Sequence, residues 1–252
     1  LHDALPISQG VVADGDTLFV DGYLSGDHPS CRLFAIDIPS NKLMGAIDLP
    51  PTCKHAGGLA KLGTDRLLVS DTHAIYTLTF VDALARKALL QPKVSMTAVS
   101  GKIKGSFILT RGKNFYLGVY STSCDTSFVY GFDGDKLSSP KIGDRDISET
   151  IQIPTHIQGA AFLDDQTLVL SGNAKNYGMI SEVNIANGTV RSVSKFVRGV
   201  EGVALGDKGT LWTVSESGSM QYQDWIHAMP AAVQIDRNKL VASPDDHLEC
   251  MH

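Results

Sequence analysis

Two sets of mainly polar residues recur at fixed places along the chain, and their side chains are the first candidates for chemistry. One set stands directly before a glycine that opens an apolar run, and its members are Gln9, Gly57, Lys104, Gln158 and Glu201. The other set ends the next apolar run, 14 to 16 residues later, and its members are Tyr23, Thr72, Tyr120, Asn173 and Glu216. Amide, carboxyl, hydroxyl and amine groups brought together in this way would bind a polar ligand through directed hydrogen bonds.

Two glutamates in the last repeat add a candidate for acid–base chemistry. Because Glu201 and Glu216 belong to the same repeat, we expect them to lie close together, where burial or like charge would raise the pKa of one of them. Glu216 is then the candidate catalytic acid or base. The pair would equally suit a bound cation, and an ion pair with Lys104 or Arg198 is the structural alternative.

Two histidines and a tryptophan are further candidates on the same surface. His55 and His156 stand shortly before two of the repeat glycines, either as ligand-binding groups or as structural residues. Trp225 lies in the long segment SGSMQYQDWIHAMP, where its indole would stack on a sugar ring or pin the loop.

An internal repeat positions these residues. Five stretches begin at the members of the first set, at intervals of 48, 47, 54 and 43 residues. Each contains a glycine, an apolar run, a polar turn and a second apolar run, followed by further strand-like runs. A four-stranded unit of about 40–50 residues is typical of a propeller blade. The sequence therefore predicts an all-β fold, a β-propeller of five blades with four antiparallel strands each.

The predicted pairing places both polar sets on one face of the propeller. The first strand of each blade starts where its antiparallel second strand ends, so the two sets surround the same channel mouth. The repeat glycines would let the innermost strands pack closely around the axis. Loops of unequal length also open on this face, which is typical of a binding rim.

The outer strands and the linking segments are predicted less directly, from short apolar runs. KALLQP and KLVAS are predicted as the fourth strands of blades 2 and 5. VDALARKALL has some helical character, but it lies between blade strands and is predicted as a loop or a short turn.

Length and composition indicate one domain. Residues 9–252 form the predicted propeller, whereas residues 1–8, LHDALPIS, match the conceptual translation of a sequencing-library adapter and are expected to lie outside the fold. The net charge of -5, without a basic block, argues against nucleic acid as a partner. No apolar run approaches the roughly 18 residues of a membrane span. We expect the protein to be a monomer.

Four cysteines, at positions 31, 53, 124 and 250, lack the spacing of a zinc site. They are either free thiols or include a disulfide such as Cys31–Cys53, which would require an oxidising compartment. The sequence also lacks GxSxG, a Cys/His pair in a catalytic context and a phosphate-binding glycine loop.

The last repeat, VEGVALGDKGTLWTVSESGSMQYQDW, together with HAGGLA and IQGAAFL, resembles secreted bacterial β-propeller proteins without an assigned activity. Its EG and LW elements are more loosely similar to the NHL and gluconolactonase-like propellers. The second resemblance implies a divalent cation such as calcium at the channel mouth, with Glu201, Asn173 and Asp71 as the matching ligands. Those propellers have six blades, whereas the spacing in this chain gives five.

These observations lead to one functional hypothesis and two alternatives. The hypothesis is a secreted, periplasmic or cell-surface propeller that binds a small polar molecule, a carbohydrate or a protein at the channel mouth. The first alternative is a metal-dependent hydrolase or lactonase of the gluconolactonase-like type, in which Glu201 and Asn173 bind the metal and Glu216 acts as base. The second is a scaffold that uses its outer blade edges, which predicts exposed apolar side chains away from the mouth.

Overall fold

The computed structural model describes residues 7–24, 30–123, 126–174, 176–219 and 232–242. Within these residues the chain forms five sheets, one for each repeat of the sequence, arranged as the blades of a β-propeller. The predicted five-bladed propeller is confirmed.

Each blade is a meander of consecutive antiparallel strands that runs from the channel outward. Blade 1 contains β1 (Ile7–Asp14), β2 (Thr17–Leu24), β3 (Ser30–Asp37) and β4 (Lys42–Asp48). Blade 2 contains β5 (Gly58–Leu62), β6 (Arg66–Asp71), β7 (Ala74–Thr79) and β8 (Lys93–Val99). Blade 3 contains β9 (Phe107–Arg111), β10 (Asn114–Gly118), β11 (Ser127–Asp133) and, after a short strand β12 (Lys141–Ile142) that pairs in parallel with β8, β13 (Glu149–Ile153). Blade 4 contains β14 (Ile157–Phe162), β15 (Thr167–Asn173), β16 (Gly178–Asn184) and β17 (Val190–Phe196). The described part of blade 5 contains β18 (Val200–Leu205), β19 (Thr210–Ser215) and β20 (Val233–Asp236).

The innermost strands close into a ring around the channel. Each of β1, β5, β9, β14 and β18 contacts the innermost strand of both neighbouring blades, including β18 against β1. The repeat glycines permit this approach: a Cβ on Gly10 would meet the backbone of Leu59, and one on Gly202 would meet Gln9. The apolar cores lie between adjacent blades, for example Phe19 with Leu67.

Blade 3 departs from the pattern that the other repeats share. Phe107 pairs with Gly118 as Gly58 pairs with Ser70, so Phe107 stands where the other blades have the repeat glycine. Gly118 makes room for it, since a Cβ there would overlap the Phe107 ring. The register therefore places Ser106, not Lys104, level with the first polar set. Lys104 is exposed and precedes β9.

Two predictions about outer strands are wrong. The fourth strand of blade 2 is Lys93–Val99, not KALLQP, because the preceding residues form the short helix α1 (Ala83–Lys87). Asp82 caps this helix by accepting a hydrogen bond from the N–H of Ala85 at 2.7 Å. In blade 5, KLVAS forms no strand in its described part, where residues 237–239 make a 3₁₀ turn.

The N-terminal strand takes in Ile7 and Ser8, the last two residues of the segment that we expected to lie outside the fold. Ile7 is buried and pairs with Tyr23. Among the described residues, no helix is long and apolar enough to cross a membrane.

A disulfide joins Cys31 of β3 to Cys53 in the connection between blades 1 and 2. This pair is therefore the predicted disulfide and not two free thiols. Cys124 and Cys250 lie outside the described residues.

Large apolar side chains are exposed on the outer parts of blades 1 and 2. They include Leu43 and Met44 of β4, Leu84 of α1 and Met96 of β8. The scaffold alternative predicted such side chains away from the channel mouth.

Candidate functional site

The strand register brings the two polar sets to the same end of the channel. At this end Ile7 pairs with Tyr23, Ile157 with Gly172 and Val200 with Ser215. The start of each innermost strand therefore lies beside the end of the second strand, as the antiparallel pattern requires.

Three residues of the first set lie in β-bulges. The pairing slips by one residue between Ser8 and Val11, between Ile157 and Gly159, and between Val200 and Val203. These irregularities contain Gln9, Gln158 and Glu201 and occur in three consecutive blades around the ring, 4, 5 and 1. A bulge interrupts the regular alternation of side chains at the channel end where the two polar sets meet, and there Gln9 and Glu201 are buried and Gln158 is half-buried.

Glu201 is the most buried member of this set, with 1% of its surface exposed. Its Oε1 accepts a hydrogen bond of 3.0 Å from Nε2 of Gln158. Burial raises the pKa of Glu201 well above its usual value, the charge of Glu216 adds to the rise, and the hydrogen bond from Gln158 opposes it. Glu201 therefore holds its proton more tightly than an exposed glutamate does, and in the protonated form its carboxyl group can donate as well as accept.

Glu216 lies close enough to act on Glu201, as the sequence predicted. Burial raises the pKa of Glu216 to about 7, and the positive charge of Arg198 opposes the rise. Tyr120 belongs to the same region: burial, then the charges of Glu201 and Glu216, raise the pKa of its phenol. Together Tyr120, Gln158, Arg198, Glu201 and Glu216 form a group contributed by blades 3, 4 and 5, which we call the acidic cluster.

Asn173 and His156 border the acidic cluster and are largely engaged with protein groups. Asn173 donates through Nδ2 to the carbonyl of Val200 at 2.9 Å and accepts at Oδ1 from the N–H of Gly199 at 2.8 Å. The His156 ring packs edge-on to Tyr120, with centroids 6.2 Å apart. These contacts fix the segment that leads into Glu201 and the orientation of the phenol.

A second polar group lies on the side of blades 1 and 2. The rings of Tyr23 and His55 are 4.4 Å apart, and burial lowers the pKa of His55 against the opposing charge of Asp71. Asp71 accepts from the N–H of Lys54 at 2.8 Å and from that of Thr72 at 2.6 Å. Its carboxylate also lies within 4.8 Å of the sulfur atoms of the disulfide.

The structure does not gather the predicted metal ligands into one group. Among the described residues, Asp71 is grouped with the sulfur atoms of the disulfide, and no group of three or more His, Cys, Asp or Glu side chains contains Glu201. The oxygens of Asp71 and Asn173 accept from backbone N–H groups. Trp225, the remaining predicted site residue, lies outside the described residues.

One buried acid was not singled out from the sequence. Asp21 of β2 is fully buried; its Oδ1 accepts from the N–H of Gly10, and its Oδ2 has no hydrogen-bond partner among the residues that the structure describes. Burial raises its pKa to about 8, although the hydrogen bond from Gly10 opposes the rise. The available sequence signal was an aspartate inside the apolar run LFVDGY, since the alternation of that strand places Asp21 on a buried face.

Comparison with known proteins supports the fold and leaves the family open. No protein-family model and no curated protein matches the chain. A solved nidogen/laminin complex is 13% identical over 96% of this chain and 84% of that chain, with a TM-score of 0.52. A luciferin-regenerating enzyme is 12% identical over 92% and 91%, with a TM-score of 0.51. The match to hydrazine synthase of Kuenenia stuttgartiensis has a TM-score of 0.45, and this chain spans 56% of that one. The chain is thus a β-propeller.

Proposed function

We propose that the protein is a binding propeller that takes a small, uncharged, hydroxyl-rich ligand, such as a carbohydrate, at the acidic cluster. The observation that carries the proposal is the hydrogen-bonded pair of Gln158 and Glu201, both in bulged segments at the channel mouth and close enough to Tyr120 for the charge of Glu201 to act on its phenol. Protonation of both glutamates, which their raised pKa values favour, gives the cluster donors and acceptors without a net negative charge. Such a mixture suits hydroxyl groups, which both donate and accept.

The metal-dependent hydrolase has less support. A hard divalent cation needs several free oxygen ligands, whereas Asp71 and Asn173 already accept hydrogen bonds from the backbone. The donor set therefore does not fit a cation, and we derive no catalytic step through one.

The proposed location is outside the cytoplasm: secreted, periplasmic or on the cell surface. The Cys31–Cys53 disulfide supports it, because such bonds persist in oxidising compartments.

The test is thermal unfolding at pH 6 with a panel of neutral mono- and disaccharides, with and without calcium chloride. A ligand that binds only the folded state raises the melting temperature. We expect at least one sugar to raise it in calcium-free buffer. A rise that requires calcium would support the hydrolase alternative instead, and the absence of any rise across the panel would count against the proposal.

A further inference from the structure

A cavity of about 180 Å³ lies at the opposite end of the channel from the acidic cluster. Three consecutive residues from each innermost strand line it, namely 11–13, 59–61, 108–110, 160–162 and 203–205. These residues follow the bulges along the strands, toward their C-terminal ends. We call this space the lower cavity.

The rim of the lower cavity combines apolar groups with one cation. The last residue of each lining triplet stands at the rim, and these residues are Ala13, Lys61, Thr110, Phe162 and Leu205. Lys61 is the one charged residue among those that line the described cavity. The guanidinium carbon of Arg111 lies 4.6 Å from the centroid of the Phe162 ring and packs over it.

The charge beside the lower cavity is not balanced by its nearest carboxylate. Asp14 is ion-paired with Lys61 and also with Arg86, so one negative group serves two positive ones. Burial alone would raise the pKa of Asp14, but the hydrogen bond from Lys61 and the charges of Arg86, Lys61 and Lys87 outweigh burial and lower it.

Arg86 has hydrogen-bond donors that its ion pair with Asp14 does not use. It is 4% exposed, and its Nε and Nη1 groups are buried without a hydrogen-bond partner in the described structure. The side chain of Lys61 is 34% exposed. Its ammonium group has three N–H donors, so it can donate to a ligand as well as to Asp14. An anion at the rim would therefore meet a positive field and a free donor.

The walls add polar contacts from the backbone. Each innermost strand is at the edge of its sheet and pairs on one side only. Its other edge faces the channel, so N–H and C=O groups of the lining residues are available to a ligand or to water.

We propose that the lower cavity is a second ligand site, which takes a small carboxylate with an apolar body. The carboxylate lies against Lys61, and the apolar body lies against Phe162 and Leu205. The size fits, because an apolar cavity of about 150 Å³ holds benzene. A single ring or a short aliphatic chain is therefore the expected scale of the ligand.

Benzoate and hexanoate are the probes, and benzamide and hexanamide are their uncharged counterparts. We expect each carboxylate to raise the melting temperature of the full chain at pH 7 and each amide to raise it far less. Titration calorimetry with benzoate then compares two variants: Lys61→Met should weaken binding at least tenfold, whereas Lys93→Met, an exposed lysine on the outer strand β8, should leave it unchanged.

Three results would overturn the proposal: no stabilisation by either carboxylate, equal stabilisation by the amides, or unchanged binding in Lys61→Met. If Lys61→Met fails to fold, Lys61→Gln decides the matter, because the amide removes the positive charge and keeps a hydrogen-bond donor for Asp14. Circular dichroism establishes that this variant is folded, and benzoate binding as tight as that of the wild type contradicts the proposed site.

Discussion

Three carboxyl groups near the channel, those of Asp21, Glu201 and Glu216, have pKa values raised chiefly by burial. A raised pKa means that the folded state holds its proton more tightly than the unfolded state. Each group therefore contributes stability that is fully present below its usual pKa and is lost as the pH rises through the folded-state pKa. The propeller should become less stable between about pH 4 and pH 8 for this reason.

The substitution Asp21→Asn tests this sign at one residue. Asparagine resembles the protonated acid, so the variant should match the wild type near pH 4 and be more stable than it above pH 8. The wild type should lose about 1 kcal/mol per pH unit through this group between pH 4 and pH 8, and the variant should not. Urea unfolding at several pH values measures the difference. A gap that does not change with pH would refute the raised pKa.

At the level of strands, the sequence predicted the repeats well because they follow apolar alternation and turn residues. It did not reveal the bulges, since one extra residue leaves the apolar pattern of a strand readable. It also misplaced Lys104 for a physical reason. In blade 3, Phe107 occupies the position of the repeat glycine, and Gly118 on the paired strand makes room for its ring. Gly105, two residues before Phe107, has the sequence pattern of a repeat glycine but not its place in the strand. KALLQP was wrong because its apolar residues close the C-terminal end of α1, where the N–H groups of Ala88, Leu89 and Leu90 donate to carbonyls of the helix.

Glycine packing between innermost strands gives a prediction for Gly10→Ala. The added Cβ would overlap the backbone of Leu59 and lie 2.5 Å from Oδ1 of Asp21, so the ring must widen or the hydrogen bond to Asp21 must break. We expect a loss of about 1–3 kcal/mol in the free energy of unfolding. Denaturant unfolding measures it, and a variant as stable as the wild type would show that the strands are not packed this closely.

The disulfide gives a second prediction at this scale. It ties β3 to the entry of blade 2 across 22 residues of chain, so its removal in the double variant Cys31→Ser, Cys53→Ser should cost about 3 kcal/mol. Adding a reductant should destabilise the wild type and leave the double variant unchanged. If the reductant affects both proteins equally, the effect does not come from this bond.

At the scale of the whole molecule, the channel has two unlike ends. The blade count and the common face of the two polar sets follow from the repeat alone. The concentration of the site on blades 3 to 5 does not, because it depends on which strands carry a bulge and on contacts between blades. The positive charge at the other end was equally hidden, since Asp14, Lys61 and Arg86 come together from three distant parts of the sequence.

The most direct test of the proposed function is titration calorimetry at pH 6 with the sugar that stabilises the protein most. The wild type is compared with Gln158→Met, which removes the partner of Glu201, and with Gln166→Met, the same change at an exposed turn. Losing directed hydrogen bonds should weaken binding about tenfold in Gln158→Met and leave Gln166→Met unchanged. Equal affinity of all three proteins, or no sugar that binds the wild type, would contradict a ligand site at the acidic cluster.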